Sequence, residues 1–317
     1  RFRPAPHLDP NRRGRGRRRD DGGDRNRDRS PPPGAGAAVS DASASAPTSV
    51  PVGHGRPAVA WREVALPREH GGWSLTAEPA VLGLLAAWSG SGAALAAGAM
   101  VAFVARTPLK VVLVDRFRHR WLPRTALALR VALGELAVLA ALATVATAGS
   151  GDRRFWVPLA LAMPLVAVEL WFDMRSRSRR LAPELAGAVG IGSVAAAIAL
   201  AGGSPGRVAA GLWCVTAARA VAAIPYVRVQ LARARSRPHR RWPSDLAQAG
   251  AVAAVAAAWA VDAVPLAAVA ALALSGAVAL VGLRFPIRPA PLIGAEQSVV
   301  GLTVVLVAGL ATRLLLS

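Results

Sequence analysis

Residues 182–202 read APELAGAVGIGSVAAAIALAG, and this stretch decides the fold. It carries a single charge, Glu184 at its start, and is otherwise built from small and aliphatic side chains. A helix that rises 1.5 Å per residue needs about 20 such residues to cross a hydrocarbon layer of about 30 Å. The stretch is preceded by Arg175, Arg177, Arg179 and Arg180 and followed by the break from Gly202 to Arg207, so its polar boundaries fall where a span has to end. Working outward, the same alternation of Ala/Val/Leu-rich runs and Arg- or Gly-rich breaks recurs from Trp73 to the end of the chain. Nine spans are predicted: 74–90, 92–114, 124–148, 154–173, 182–202, 206–227, 244–262, 264–283 and 296–315. The seventh and eighth are the weakest division, because only Asp262 and Pro265 interrupt them.

Composition agrees with this all-α polytopic reading. Hydrophobic residues make up 54% of the 317, above the roughly 45–50% of an average soluble domain, although the first sixth of the chain is polar. The single cysteine, Cys214, has no partner, which excludes a disulfide framework and a thiol-based metal site. P-loop, dinucleotide, zinc and serine-nucleophile patterns do not occur, and neither a metal nor a cofactor is expected.

The net charge of +20 is unevenly placed. Residues 1–60 hold twelve Arg against six Asp, a net of +6, which leaves +14 for the remainder. Residues 1–63, rich in Arg, Pro, Gly and Ala with few large apolar side chains, are predicted to form a disordered cytoplasmic tail ahead of a transmembrane domain at 64–317. The tail lacks aromatic residues interleaved for base stacking, so anionic lipid headgroups, rather than nucleic acid, are the expected partner of the tail and of the Arg-rich loops. The chain opens on Arg1 rather than Met, so its start is expected elsewhere, and no signal peptide is read in the tail.

Orientation follows from the arginines. The breaks after the second, fourth, sixth and eighth spans hold Arg116, Arg118, Arg120 and Arg124, then Arg175 to Arg180, then Arg228 to Arg241, then Arg284 and Arg288. The intervening breaks hold only Arg153, Arg154 and Arg207. Positive loops stay in the cytoplasm, which places the amino terminus inside and the carboxyl terminus outside a bacterial inner membrane. Trp121, Trp156, Trp171 and Trp242 fall at span ends, where amphipathic rings anchor at the interface.

Ionisable groups within or beside spans are the first functional candidates, because they are costly there. Pro67-Arg68-Glu69-His70-Gly71-Gly72-Trp73 stands at the mouth of the first span, and Glu78-Pro79 follows about two turns inside. Arg68, Glu69, His70 and Glu78 are expected to form one wall of a site, with Gly71 and Trp73 shaping its entrance. A second group lies at the cytoplasmic ends of the second and sixth spans: Arg106, Lys110 and Asp115 in one, Arg219, Tyr226 and Arg228 in the other. Arg106 and Lys110 are four residues apart, on one helix face. Glu169 and Asp173, also four apart, are expected to pair with the arginines that follow them, and Glu184 to complement the positive end of its own helix.

The segment from Pro67 to Trp73, followed by Glu78-Pro79 and an apolar helix, resembles the amino-terminal signature of the YwiC-like family of bacterial membrane proteins. The family pattern, Pro-Lys/Arg-x-His-Gly-Ala-Trp, is matched by Pro67, Arg68, His70, Gly71 and Trp73, with Gly72 in place of Ala. The resemblance is expected to extend over residues 64–317. It implies a polytopic membrane protein and transfers no catalytic residue.

The nine-span plan with polar sites at spans 2 and 6 is also similar to that of UbiA-type prenyltransferases. Their Asp-rich Mg²⁺ motifs are missing, since these regions offer Asp115 alone and no acid between Arg219 and Arg241. The leading expectation is therefore binding or transport of a small anionic or lipid-like ligand entering from the cytoplasmic face. A metal-independent intramembrane transferase and a membrane scaffold are the alternatives.

Overall fold

A computed structural model describes residues 61–67, 70–175 and 180–317, without the side chains of Arg62, Glu63 and His70. All of these residues belong to one structural unit, Gly55–Ser317, and residues 1–60, the body of the expected tail, lie outside the described residues. A short helix α1 (Trp61–Ala65) crosses the boundary expected at 63/64, with Val64 buried against Val112 and Ala128.

Nine longer helices follow: α2 (His70–Ala86), α3 (Gly90–Phe117), α4 (Pro123–Gly149), α5 (Trp156–Met174), α6 (Leu181–Ala201), α7 (Gly206–Ala234), α8 (Trp242–Ala260), α9 (Leu266–Gly282) and α10 (Ala290–Leu316). Each overlaps one predicted span, and no strand occurs among the described residues. Six are long and apolar enough to cross a membrane, namely α3, α4, α5 with the 3-10 turn that precedes it, α6, α7 and α10; α9 is apolar but shorter, at 17 residues. The division between α8 and α9 is real: Asp262 adopts a left-handed φ of 54° in the turn, and Pro265 caps α9.

Several boundaries differ from the hydropathy reading. α7 runs through Pro225 to Ala234 rather than stopping at 227, α3 runs through Pro108 to Phe117, and α10 begins at Ala290 rather than 296. Hydropathy locates the apolar layer, whereas helical hydrogen bonding continues past it wherever water or side chains can satisfy the chain.

The bundle is organised around α6 and α7, the two most buried spans. Both are dominated by small residues, and the faces of α2, α3, α5, α8 and α10 close on them. Packing of this kind replaces the hydrophobic drive that lipid removes. Gly83 illustrates it: a Cβ there would stand 2.7 Å from Cβ of Ile198, so α2 and α6 meet almost backbone to backbone. Leu82, Ile198, Leu212, Val215, Leu272 and Val304 fill the centre. Outward faces are apolar too, with Leu133, Leu161, Leu274, Val299 and Leu310 exposed, as a lipid-facing surface requires. Trp121, Trp156, Trp171 and Trp242 are all exposed at helix ends, and the Arg175 guanidinium lies 3.5 Å from the centre of the Trp171 ring.

Because short connections alternate the direction of successive helices, one end of the bundle collects the start of α2, α4, α6, α8 and α10 and the end of α3, α5, α7 and α9. This is the Arg-rich end.

Candidate functional site

The deepest charged pair joins α2, α7 and α10. Glu78 sits about 12 Å along α2 from its start, and Gln297 about 10 Å along α10, at 1.5 Å per residue. Between them lies Arg219 of α7, 3% exposed. Its Nη2 donates to the Gln297 carbonyl oxygen at 2.6 Å, and its Nε is 4.0 Å from Oε2 of Glu78. That Nε has no hydrogen-bond acceptor among the described residues. The Glu78 carboxylate rests against the backbone of Gly301, where any Cβ would overlap it. Nearby, Ser298 donates to Ser74, so the same faces of α10 and α2 are also joined nearer the end of the bundle.

A second cluster lies between α3 and α5. Asp173, 1% exposed, accepts from Arg106 through Nε at 3.3 Å and Nη2 at 3.1 Å, and from Lys110 Nζ at 3.0 Å. Glu169 approaches Arg106 Nη2 at 2.8 Å and lies against Gly187 of α6, where a Cβ would come within 2.5 Å of the carboxylate. Among the described residues, two cations and two anions meet here. Among the described residues Asp173 pairs with Arg106 and Lys110 and Glu169 with Arg106, all from α3, while Arg175 lies over the Trp171 ring and Arg177 and Arg179 lie outside the described residues.

The third arrangement closes the α3–α4 turn. Asp115 is buried, receives Arg124 in a two-pronged contact at 3.1 and 3.3 Å, accepts from Thr125 Oγ1 at 2.7 Å, and has Arg120 at 3.6 Å. Further along α7, the buried Tyr226 hydroxyl accepts from Gln230 Nε2 at 2.9 Å, and the same nitrogen reaches the Gly282 carbonyl at 3.3 Å. Arg228 pairs with Glu184 across α6 and α7 at 2.9 Å.

The candidates from the sequence therefore share one end of the bundle but do not converge. Arg106 and Lys110 occupy the α3–α5 seam, Asp115 the α3–α4 turn, Arg228 the α6–α7 surface, and Glu78 with Arg219 the α2–α7–α10 seam. Both α2 and α6 pack on α3 and on α7, which keeps the first and last of these apart. Arg68 and Glu69 lie outside the described residues, as does the side chain of His70, whose backbone opens α2 together with that of Gly71. Trp73 is 38% exposed and stacks edge-on against Phe103 of α3, with ring centres 5.0 Å apart. Sequence reasoning did not place Gln297 or Gln230 in the site set. Gln297 contributes its main-chain oxygen, which no side-chain pattern announces. Among the described residues no three His, Cys, Asp or Glu side chains group as metal ligands.

The sequence comparison agrees with this membrane-helical architecture. Residues 66–199 match the YwiC-like protein family. The YwiC-like segment runs from the residue before Pro67 nearly to the end of α6 and contains Glu78, the Arg106–Asp173 cluster and the Asp115 turn. It stops short of α7–α10, so the expected extension to residue 317 is not matched, and Arg219, Tyr226, Arg228 and Gln297 fall beyond it. No curated protein and no solved structure matches the chain. The match marks residues 66–199 as similar to YwiC-like proteins and attaches no activity to them.

Proposed function

We propose that this YwiC-like protein spans a bacterial inner membrane nine times with its amino terminus inside, and that it binds and moves a small anionic or lipid-like ligand entering from the cytoplasmic face. Arg219 is the anchor. One observation carries this reading: a guanidinium 3% exposed, between three helices, with an Nε donor that has no acceptor among the described residues. An unsatisfied buried donor costs about 1–3 kcal/mol, more when charged. A carboxylate or phosphate oxygen entering between Arg219 and Glu78 would satisfy it, and a guanidinium is the side chain best matched to such oxygens. Lying at the meeting of α2, α7 and α10, the pair is also placed so that occupancy changes how these helices pack. The transferase alternative needs Arg106 and Arg219 in one cleft, and their separate seams give it no support.

The test uses protein in nanodiscs and three probes: inorganic phosphate, succinate and dodecyl phosphate. At least one is expected to raise the melting temperature of the wild type and to lose that effect in Arg219→Gln, with uptake of that probe into proteoliposomes lost in parallel. A shift and an uptake unchanged in Arg219→Gln would overturn the assignment.

A further inference from the structure

A second basic feature lies apart from the Glu78–Arg219 seam, at the extreme Arg-rich end. The α7–α8 and α9–α10 connections enclose an open cleft of about 590 Å³ whose lining includes Arg233, Arg237, His239, Arg241 and Ile287, and no carboxylate. Arg233 is held in position: Nη1 donates to Gln230 Oε1 at 2.8 Å and Nη2 to the Phe285 carbonyl at 3.0 Å. Gln230 is in turn fixed by Tyr226 and Gly282, so a buried chain of hydrogen bonds runs from the core to this arginine. The turn after α7 folds back at Ser236, with φ of 51°, and Arg237 N donates to the Ala232 carbonyl at 2.9 Å, which brings Arg237 beside Arg233. His239 donates from Nδ1 to the Arg237 carbonyl at 3.1 Å, which fixes its ring in the wall of the cleft. The nearest acids along the flanking helices are Asp245, in the first turn of α8, and Glu296, which Arg288 already holds at 2.6 Å.

Such a ring of donors around a cleft without acids suits a phosphate group. Apolar Ile287 shares its lining, and Phe285, Trp242, Leu246 and Leu292 on the flanking connections and helices are, like it, half exposed or more. Phosphate donors at the end of a bundle, next to apolar side chains running along the helices, match a molecule with a phosphate head and hydrocarbon chains. We propose that this cleft is a phosphate site that holds the headgroup of an anionic phospholipid from the leaflet facing the Arg-rich loops. The bound headgroup would tie α7–α8 to α9–α10, two connections otherwise linked through Arg233.

Native mass spectrometry of the purified full chain tests it, with phosphatidylglycerol, phosphatidylcholine and glycerol 3-phosphate as probes. Two double variants are compared: Arg237→Gln with Arg241→Gln in the cleft, and Arg153→Gln with Arg154→Gln at the opposite end. Arg233 is left in place because its hydrogen bonds support the fold, and melting curves check that both variants are folded. The wild type should retain phosphatidylglycerol over phosphatidylcholine. The cleft variant should lose about 25-fold in retention, taking roughly fivefold for each basic side chain at a membrane surface, while the distal variant keeps it. Binding of glycerol 3-phosphate equal to that of the lipid, and lost in the same variant, upholds the phosphate site with a soluble phosphoester as its source. Retention that falls equally in both variants, that is unchanged in the cleft variant, or that is absent for every probe overturns the proposal.

Discussion

Arg219 Nε and Glu78 Oε2 stand 4.0 Å apart, close enough for a strong charge interaction and too far for a hydrogen bond. Both side chains are buried, so the pair couples α7 to α2 while Arg219 Nε stays without a hydrogen-bond acceptor among the described residues. Around it the packing is close: Gly301 supports the carboxylate, and the Gln297 carbonyl holds the far side of the guanidinium. A pair so enclosed acts as one unit.

The first prediction follows from that enclosure. Removing one partner leaves an uncompensated charge, and Arg219→Met or Glu78→Leu alone is expected to destabilise the protein by about 3–5 kcal/mol. The double variant should cost less than the sum of the two, because it removes both charges together. Denaturation in nanodiscs, run as a double-mutant cycle, reads the coupling. Strictly additive losses would show that the two groups do not act together.

Gly301 supplies a second, independent check. Its ideal Cβ would overlap the Glu78 carboxylate, so Gly301→Ala must push Glu78 or separate α10 from α2. Overpacking of this kind costs typically about 1–3 kcal/mol. In a Glu78→Ala background the obstruction is gone, and the same Gly301→Ala exchange should become nearly neutral. Melting temperatures of the four proteins decide it; an equal penalty in both backgrounds would place the clash elsewhere.

Much of this architecture is legible in the sequence, and the part that is not has a physical reason. Residues 182–202 announce a span because hydropathy is a local property, and the same holds for the six helices long and apolar enough to cross a membrane. Pairing is not local. Asp173 has Arg175 two positions away in sequence, yet its partners are Arg106 and Lys110, more than sixty residues earlier. Arg106 and Lys110 read as one helix face aimed at a ligand, and that face meets α5 instead. Tyr226 reads as a site residue because it lies beside Arg228 at the cytoplasmic end of the sixth span, while its hydroxyl accepts from Gln230, one turn along the same helix. Glu78 and Arg219 were visible as intramembrane charges, but their meeting depends on how α2, α7 and α10 cross.

Asp115 yields a prediction about the α3–α4 turn. Arg124, Arg120 and Thr125 all converge on this carboxylate, which is 1% exposed. Asp115→Asn keeps the shape and removes the charge, so the loss should be about 1.5–3 kcal/mol, the worth of hydrogen bonds to a charged group. Thr125→Val should cost less, since it removes one donor and leaves both arginines in place. Hydrogen exchange should report faster opening confined to the turn at 118–122 and the first turn of α4. Protection unchanged there in Asp115→Asn would mean that the turn is held by packing alone.

The orientation of the whole bundle can be tested against its charge asymmetry. In a Cys214→Ala background, single cysteines are introduced at Arg120→Cys and Arg237→Cys on the Arg-rich end and at Gly151→Cys and Arg207→Cys on the other, all exposed positions. Arginine-rich loops are retained in the cytoplasm. A membrane-impermeant maleimide applied to spheroplasts should therefore label Gly151→Cys and Arg207→Cys at once, and the other two only after the membrane is opened. The reverse pattern would invert the protein and move both the Glu78–Arg219 entrance and the basic cleft to the outer face. If the two positions of one end differed from each other, a helix between them would fail to cross. α6 would be at issue between Gly151 and Arg207 together with α5, and α4 to α7 between Arg120 and Arg237, so the labelling counts crossings as well as direction.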